Sequence, residues 1–401
     1  MFSDWTMLRW LDKTTAYILA WGLYASQGVF LPKGSIFSQL LLFVLLFISL
    51  YYTYVANMRY RLPTYFIGLN ILVAMFTVYG VYLMIQYDPA DYIVKPRPFS
   101  YLKTIYISLL PIYTFYVFFK ECNISKKKMY ALIFILFMFT TIEYFQNQKE
   151  QMIRAMMLGS DATEFTNNIG YLFLSLIPVC VLLNKKTLIQ YVVLGYCVAF
   201  ILMGMKRGAI VIGIFCLMWF LLNNVKNVNI RKKIGILFLS AILCIAGFLF
   251  VRHQMNDSLY FQKRVELTLE GNSSGRDKLY GTFLDYFLDK TTPLQFAFGS
   301  GADATLKVSY NYAHNDWLEI AVNQGIFGIM IYLLYWILFA KEGLSKSYDS
   351  QAKLAIQLLF IIYFMKTLFS MSYYDMHVPA TFVLGYCLAR EKKNEQIIYC
   401  N

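Results

Sequence analysis

Long apolar runs alternate with short polar connections along most of the chain. Runs of roughly 17 to 25 residues, the length that spans a bilayer as a helix, can be drawn at 15–31, 36–56, 64–86, 101–119, 129–146, 167–183, 187–205, 208–223, 233–251, 318–340, 353–372 and 378–390. The pattern predicts an all-α integral membrane protein with about 12 transmembrane helices. It also predicts three parts, which are transmembrane helices 1–9 in residues 1–251, a large, partly helical loop in 252–317, and helices 10–12 with a tail in 318–401.

Composition supports a membrane protein. Hydrophobic residues make up 59% of the chain and charged residues only 15%, which is outside the usual range of soluble domains. None of the seven cysteines lies in the long polar loop. A disulfide framework or a cysteine-based zinc site is therefore not expected.

The cations predict the topology. Clusters of Lys and Arg occupy every second connection, namely Arg9 with Lys13, Arg59 with Arg61, Lys126 to Lys128, Lys185 with Lys186, Arg231 to Lys233, Lys341 with Lys346, and Lys392 with Lys393. Because cytoplasmic loops are enriched in Lys and Arg, these connections and both termini are expected in the cytoplasm. The long loop is then expected on the outer, periplasmic face. The net charge of +13 follows largely from this asymmetry, and no nucleic acid partner is expected.

Four basic residues occupy positions that suggest chemistry. His314, one of three histidines, stands where the long loop enters an apolar helix, although it could simply cap that helix. Arg207 lies in a very short outer turn beside Lys206, and Arg276 begins a predicted loop helix; snorkelling or solvated ion pairing would also explain them. Lys366 lies inside an apolar run, where a charge is costly.

A set of motifs in this region resembles the O-antigen ligase and Wzy-type polymerase superfamily. The motifs are MKRGAIV at the short outer turn, SSGRDKLYGTFLDYF and GSGA in the long loop, and HNDWLEIAVNQGIFG at the start of the next span. The resemblance covers roughly residues 165–372 with motifs. The first five predicted spans resemble the family in topology alone.

The resemblance implies an activity and a set of residues. It implies metal-independent, cofactor-free inverting transfer of an undecaprenyl-pyrophosphate-linked glycan to an acceptor hydroxyl at the periplasmic face of the bacterial inner membrane. His314 matches the general base, and Arg276 and Arg207 match the catalytic arginines. Arginine suits a departing pyrophosphate because its planar fork of donors is permanently charged. Neutral histidine suits proton removal near neutral pH.

Further residues are predicted to bind substrate. These are Arg264, Lys278, Asn315 and Lys366. Asp375 and His377 in the last outer loop have no motif around them, and neither has His253.

The motifs leave the acceptor open. A Wzy-type polymerase adds glycan to a lipid-linked repeat unit and is the favoured interpretation. An O-antigen ligase, the first alternative, joins the glycan to lipid A core. A lipid-linked oligosaccharide flippase or transporter is the alternative of another class, and the lack of internal repeats and of charges along the first five spans disfavours it.

Overall fold

The computed structural model describes residues 12–122, 124–157, 167, 169–183, 187–226, 229–257, 262, 266, 275–373 and 376–391. Its helices are α1 Lys13–Ala25, α2 Ile36–Arg59, α3 Thr64–Gln86, α4 Pro98–Leu109, α5 Pro111–Glu121, α6 Lys126–Met157, α7 Gly170–Leu182, α8 Thr187–Met203, α9 Arg207–Lys226, α10 Ile230–Asp257, α11 Arg276–Asp285, α12 Pro293–Phe298, α13 Thr305–Val308, α14 Asp316–Leu344, α15 Ser350–Phe369 and α16 Val378–Ala389. In these ranges the regular structure is helical, with one isolated bridge between Gln27 and Leu31. The predicted all-helical class is confirmed.

Several helix starts follow from local sequence. Asp12, Ser35 and Asp349 each precede a helix, and their side chains accept hydrogen bonds from backbone N–H groups of the first turn. Such capping satisfies donors that have no partner within the helix. Proline begins α4, α5 and α12, where its missing N–H costs nothing.

Seven helices in the described ranges are long and apolar enough to cross a membrane. They are Ile36–Arg59, Thr64–Gln86, the pair of helices in Pro98–Glu121, Lys126–Met157, Arg207–Val225, Asp316–Leu344 and Ser350–Leu368. Four shorter apolar helices accompany them, at Gly170–Leu182, Leu188–Met203, Lys233–Ile242 and Val378–Ala389. The total of about 12 spans and the periplasmic position of the long loop remain predictions.

Helix α14 and helix α16 each pack against several other helices of the bundle. Helix α14 packs against α3 and α15, while α16 packs against α5 and α7. Fully buried aromatic side chains fill these contacts, including Tyr65, Phe66, Tyr332 and Phe339. The first residues of α14 carry the histidine motif, so a helix that packs against several others also supports the candidate site.

The segment that contains α11 to α13 packs against α14 through a small apolar core. Phe283 in α11 and Phe287 just after it are buried together with Ala304, Ala313 and Val322. Burial of two aromatic side chains contributes several kcal/mol at roughly 1.5 to 3 kcal/mol each. The loop helix that begins at Arg276 is therefore held against the start of α14.

Two glycines permit a backbone contact that bends α14. Gly325 has φ +69° and ψ −163° inside the helix, and the carbonyls of Val322 and Asn323 accept hydrogen bonds from Ser300 and Gly301 at 2.9 and 3.0 Å. A Cβ atom on Gly299 would lie 2.2 Å from the Asn323 oxygen, and one on Gly325 would lie 2.5 Å from the Gly299 nitrogen. The GSGA segment is therefore docked against the kink in α14.

Candidate functional site

His314 stands on a strained stretch of backbone at the entrance to α14. Its φ is +53°, a left-handed conformation that is uncommon for residues other than glycine. The next residue, Asn315, caps the helix, because its Oδ1 accepts from the N–H groups of Trp317 and Leu318 at 3.0 and 3.2 Å. The capping role considered for His314 thus belongs to Asn315. Strain of this kind, which costs about 1 to 3 kcal/mol, recurs at functional sites.

The imidazole of His314 has a lowered pKa. The residue remains accessible to solvent, yet partial burial of the ring, followed by the positive charges of Arg276 and Lys206, lowers the pKa of His314 from its ordinary value of 6.5. All three causes disfavour the protonated ring. His314 is therefore neutral near pH 7 and has a nitrogen lone pair ready to accept a proton.

The two cations come from separate segments. Arg276 is the first residue of α11, directly after Gly275 at φ +80°, and α11 packs against α13 and α14. The Tyr280 hydroxyl in the same helix lies 3.5 Å from the His314 carbonyl oxygen. Lys206 comes from the turn between α8 and α9, next to Met205 at φ +51°. The fold thus brings Arg276 and Lys206, which are distant in sequence, each into electrostatic range of His314.

A buried carboxylate fixes the backbone before the histidine. Glu319 is fully buried, and its Oε2 accepts the N–H of Ala313 at 2.8 Å. Its Oε1 accepts from the Thr305 hydroxyl and from Asn323 Nδ2. These bonds join three parts of the chain: α13, the residue that precedes His314, and α14 itself. Glu319 therefore determines where the histidine lies. Its oxygens are already engaged, so it is poorly suited to act as the base.

A second buried carboxylate ties α14 to the last outer loop. Asp316 is fully buried and accepts the N–H of Ser372 at 2.8 and 3.0 Å and the hydroxyl of Tyr332. Lys366, only 1% exposed, lies within electrostatic range of Asp316, with its ammonium over the rings of Tyr171 and Tyr363. A buried charge at membrane depth is expensive unless it has such compensating contacts. Lys366 is therefore part of the buried packing between helices, and its predicted contact with pyrophosphate stays a prediction.

The remaining residues that the sequence singled out lie on several different helices or outside the described residues. Arg207 begins α9, directly after Lys206, and Lys278 is exposed on α11. His253 is exposed on α10, and His377 precedes α16. Arg264 and Asp375 lie outside the described residues. The catalytic role of Arg207 and the substrate-binding roles of Lys278, Arg264 and Asn315 remain predictions.

Three contributors were missed in the sequence, although signals for them existed. Lys206 acts on His314, whereas the family pattern drew attention to the neighbouring Arg207. The other two are Asp316 and Glu319, because carboxylates in the first turn of an apolar helix already suggest buried, hydrogen-bonded groups. Across the described residues, no group of three or more His, Cys, Asp or Glu is arranged to hold a metal ion.

Comparison with known proteins locates the family resemblance. The family model described as O-antigen ligase matches residues 192–333. The matched segment runs from α8 into α14 and includes Lys206, Arg207, Arg276 and His314. No curated protein matches the chain. The resemblance to the O-antigen ligase superfamily that the motifs predicted is thereby confirmed over residues 192–333.

Proposed function

We propose that this chain is a metal-independent, inverting glycosyltransferase that acts at the extracytoplasmic face of the bacterial inner membrane. Its donor is an undecaprenyl-pyrophosphate-linked glycan, and its acceptor is a sugar hydroxyl. The observation that carries the proposal is the position of His314 at the loop to which α11 is packed, where the positive charges of Arg276 and Lys206 favour the neutral imidazole by lowering its pKa. A base and a charge-stabilising group are what transfer from a lipid pyrophosphate requires.

The proposed reaction is a direct displacement. His314 takes the proton of the acceptor hydroxyl while the oxygen of that hydroxyl forms a bond to the anomeric carbon of the donor sugar. On the opposite side, the bond between that carbon and the pyrophosphate oxygen breaks, and its electron pair stays on the pyrophosphate. The positive charges of Arg276 and Lys206 stabilise this oxygen, which is the contribution expected from preorganised charges. The imidazolium then returns its proton to solvent, and the anomeric configuration is inverted.

The acceptor distinguishes the two candidate reactions. We favour a Wzy-type polymerase, whose acceptor is another lipid-linked repeat unit. The description of the matching family model supports the ligase alternative, whose acceptor is lipid A core. A flippase is the third candidate, because its substrate carries the same lipid pyrophosphate.

Reconstitution of the purified protein tests the proposal. The protein in proteoliposomes receives lipid-linked glycan extracted from the membranes of the host cells, with or without lipid A core from the same cells, in EDTA. A ladder of longer lipid-linked glycans is the expected result, whereas transfer to the core alone identifies a ligase. Movement of the lipid across the bilayer without a new glycosidic bond, or transfer that needs an added divalent ion, overturns the proposal.

A further inference from the structure

A cavity of about 340 Å³ lies among α1, α4, α6, α7 and the start of α16, outside the histidine site. We refer to it as the amino-terminal cavity. Its floor is formed by apolar side chains that are almost completely buried, among them Ile18, Trp21, Leu136 and Leu172. Its volume falls within the range of about 300 to 1,000 Å³ that is typical of small-ligand sites.

Polar groups surround the upper part of the amino-terminal cavity. Lys103, Glu143 and His377 line it together with the hydroxyl residues Thr104 and Thr140. Glu143 and Lys103 belong to spans whose other described residues are mostly apolar, so their presence has a cost that packing alone does not explain. An apolar and aromatic floor with a few polar groups above it is typical of binding sites.

A second cavity lies beside the loop that carries His314. It has a volume of about 240 Å³ and is lined by Arg97, Tyr101, Thr104, Asp303 and Tyr312, among others. Thr104 lines both cavities. Tyr312 shares a hydrogen bond with Asp303 and precedes His314 by two residues. The two cavities are therefore neighbours on either side of Thr104, and the second reaches the loop that leads to the histidine.

The charges in these cavities do not suit a pyrophosphate. Lys103 and Arg97 contribute positive charge, while Glu143 and Asp303 contribute negative charge, so neither sign is in excess. A pyrophosphate requires an excess of positive charge, as Arg276 and Lys206 provide at His314. A sugar chain, by contrast, has apolar ring faces for aromatic side chains and a rim of hydroxyls for groups of both signs.

We propose that the two adjoining cavities hold the sugar chain of the acceptor and deliver its terminal hydroxyl to His314. This inference rests on the proposed function and assigns a substrate-binding role to α1, α4 and α6. The acceptor glycan lies over the aromatic floor, passes Thr104 and reaches the loop at Tyr312. The donor pyrophosphate lies at the separate cationic site of Arg276 and Lys206. The two substrates therefore contact different residues on their way to the histidine.

Blocking the junction tests this proposal. Thr104→Phe places an aromatic ring where the cavities meet. Thr53→Phe is the matched control, because Thr53 is also half-buried and bonded to the carbonyl four residues before it at 2.8 Å, as Thr104 is, but it lines neither cavity. Glu143→Gln is a second, nearly isosteric variant that preserves the packing if Thr104→Phe fails to fold.

The probe is the glycan released from the host's lipid-linked oligosaccharide by mild acid, which lacks both pyrophosphate and lipid. Its binding to each purified variant is measured beside binding and transfer of the intact lipid-linked donor. We expect Thr104→Phe, and to a smaller extent Glu143→Gln, to weaken binding of the released glycan by about tenfold, equivalent to ~1.4 kcal/mol. Donor binding should be unchanged, and Thr53→Phe should behave like the wild type.

The outcomes separate the two proposals. If the wild type transfers glycan but neither cavity variant differs from Thr53→Phe, the acceptor path is wrong and the proposed function stands. If the wild type makes no new glycosidic bond, the proposed function fails. Loss of donor binding in both cavity variants, with binding of the released glycan intact, assigns the cavities to the donor and also overturns the inference.

Discussion

Glu319 Oε2 accepts a hydrogen bond of 2.8 Å from the backbone nitrogen of Ala313, the residue immediately before His314. This bond joins the first turn of α14 to the loop that supplies the histidine. His314 has a strained backbone conformation, at φ +53°. The hydrogen bond from the preceding residue helps to hold it in that conformation.

Glu319 should act as a positioning residue. Glu319→Ala leaves the buried Ala313 N–H and Thr305 hydroxyl without this acceptor, at a cost of about 1 to 3 kcal/mol for each unsatisfied group. We expect a lower transfer rate with donor binding retained. Glu319→Gln should restore part of the rate, because its amide oxygen can still accept from Ala313.

Glu342 provides the matched control for this prediction. It is a buried carboxylate at the opposite end of α14 and accepts bonds from Thr64, Tyr65 and Tyr348. Glu342→Ala should lower the melting temperature but leave the rate per folded molecule unchanged. Equal rate losses in the Glu319 and Glu342 variants would mean that Glu319 is merely structural.

Lys206 should set the pH dependence of the reaction. His314 must be neutral to accept a proton, so activity rises with pH through its pKa, which burial and the charges of Arg276 and Lys206 hold below 6.5. Lys206→Gln removes one charge that opposes the imidazolium, so the pKa rises and the acid limb of the rate profile moves to higher pH. Lys290→Gln changes an exposed lysine that follows α11 and should leave the profile in place. A shift in both variants, or in neither, would contradict the assignment.

The contact of Gly299 with Gly325 should be intolerant of side chains. Gly325→Ala adds a Cβ atom about 2.5 Å from backbone atoms of Gly299 and Ala297, at a φ of +69°. The conformation alone costs about 1 to 3 kcal/mol, so the melting temperature and the yield of folded protein should fall. Gly235→Ala is the control, because nothing lies within 4 Å of the added atom and alanine favours helix. An unchanged melting temperature in Gly325→Ala would show that the kink is dispensable.

The predicted topology can be checked with two lysines. Lys290 and Lys346 are both exposed but lie in connections predicted on opposite sides of the membrane. In a cysteine-free background, a membrane-impermeant thiol reagent added to intact spheroplasts should modify Lys290→Cys and not Lys346→Cys. The reverse pattern would place the site in the cytoplasm.

Local patterns predicted much of this molecule. Apolar runs located the helices, and the motifs that resemble the O-antigen ligase superfamily pointed to His314 and to Arg276, whose charge acts on His314. Lys206 was undervalued because its effect on His314 depends on the turn at Met205, which is set by tertiary packing. The burial of Lys366 among Tyr171, Tyr363 and Asp316 depends on three separate segments, and so does the docking of Gly299 on Gly325. Such relationships have no periodic signature along the chain.

The central claim is that His314 is the base and the cations serve the departing pyrophosphate. The most direct test is single-turnover transfer from bound lipid-linked donor by the wild type, His314→Ala and Arg276→Lys, with donor binding measured on the same samples. Arg276→Lys keeps the charge but loses the planar fork, so both binding and transfer should fall.

For His314→Ala the account predicts donor binding like that of the wild type and transfer slower by about two to four orders of magnitude, the usual contribution of a general base. Near-normal transfer by His314→Ala would contradict the account.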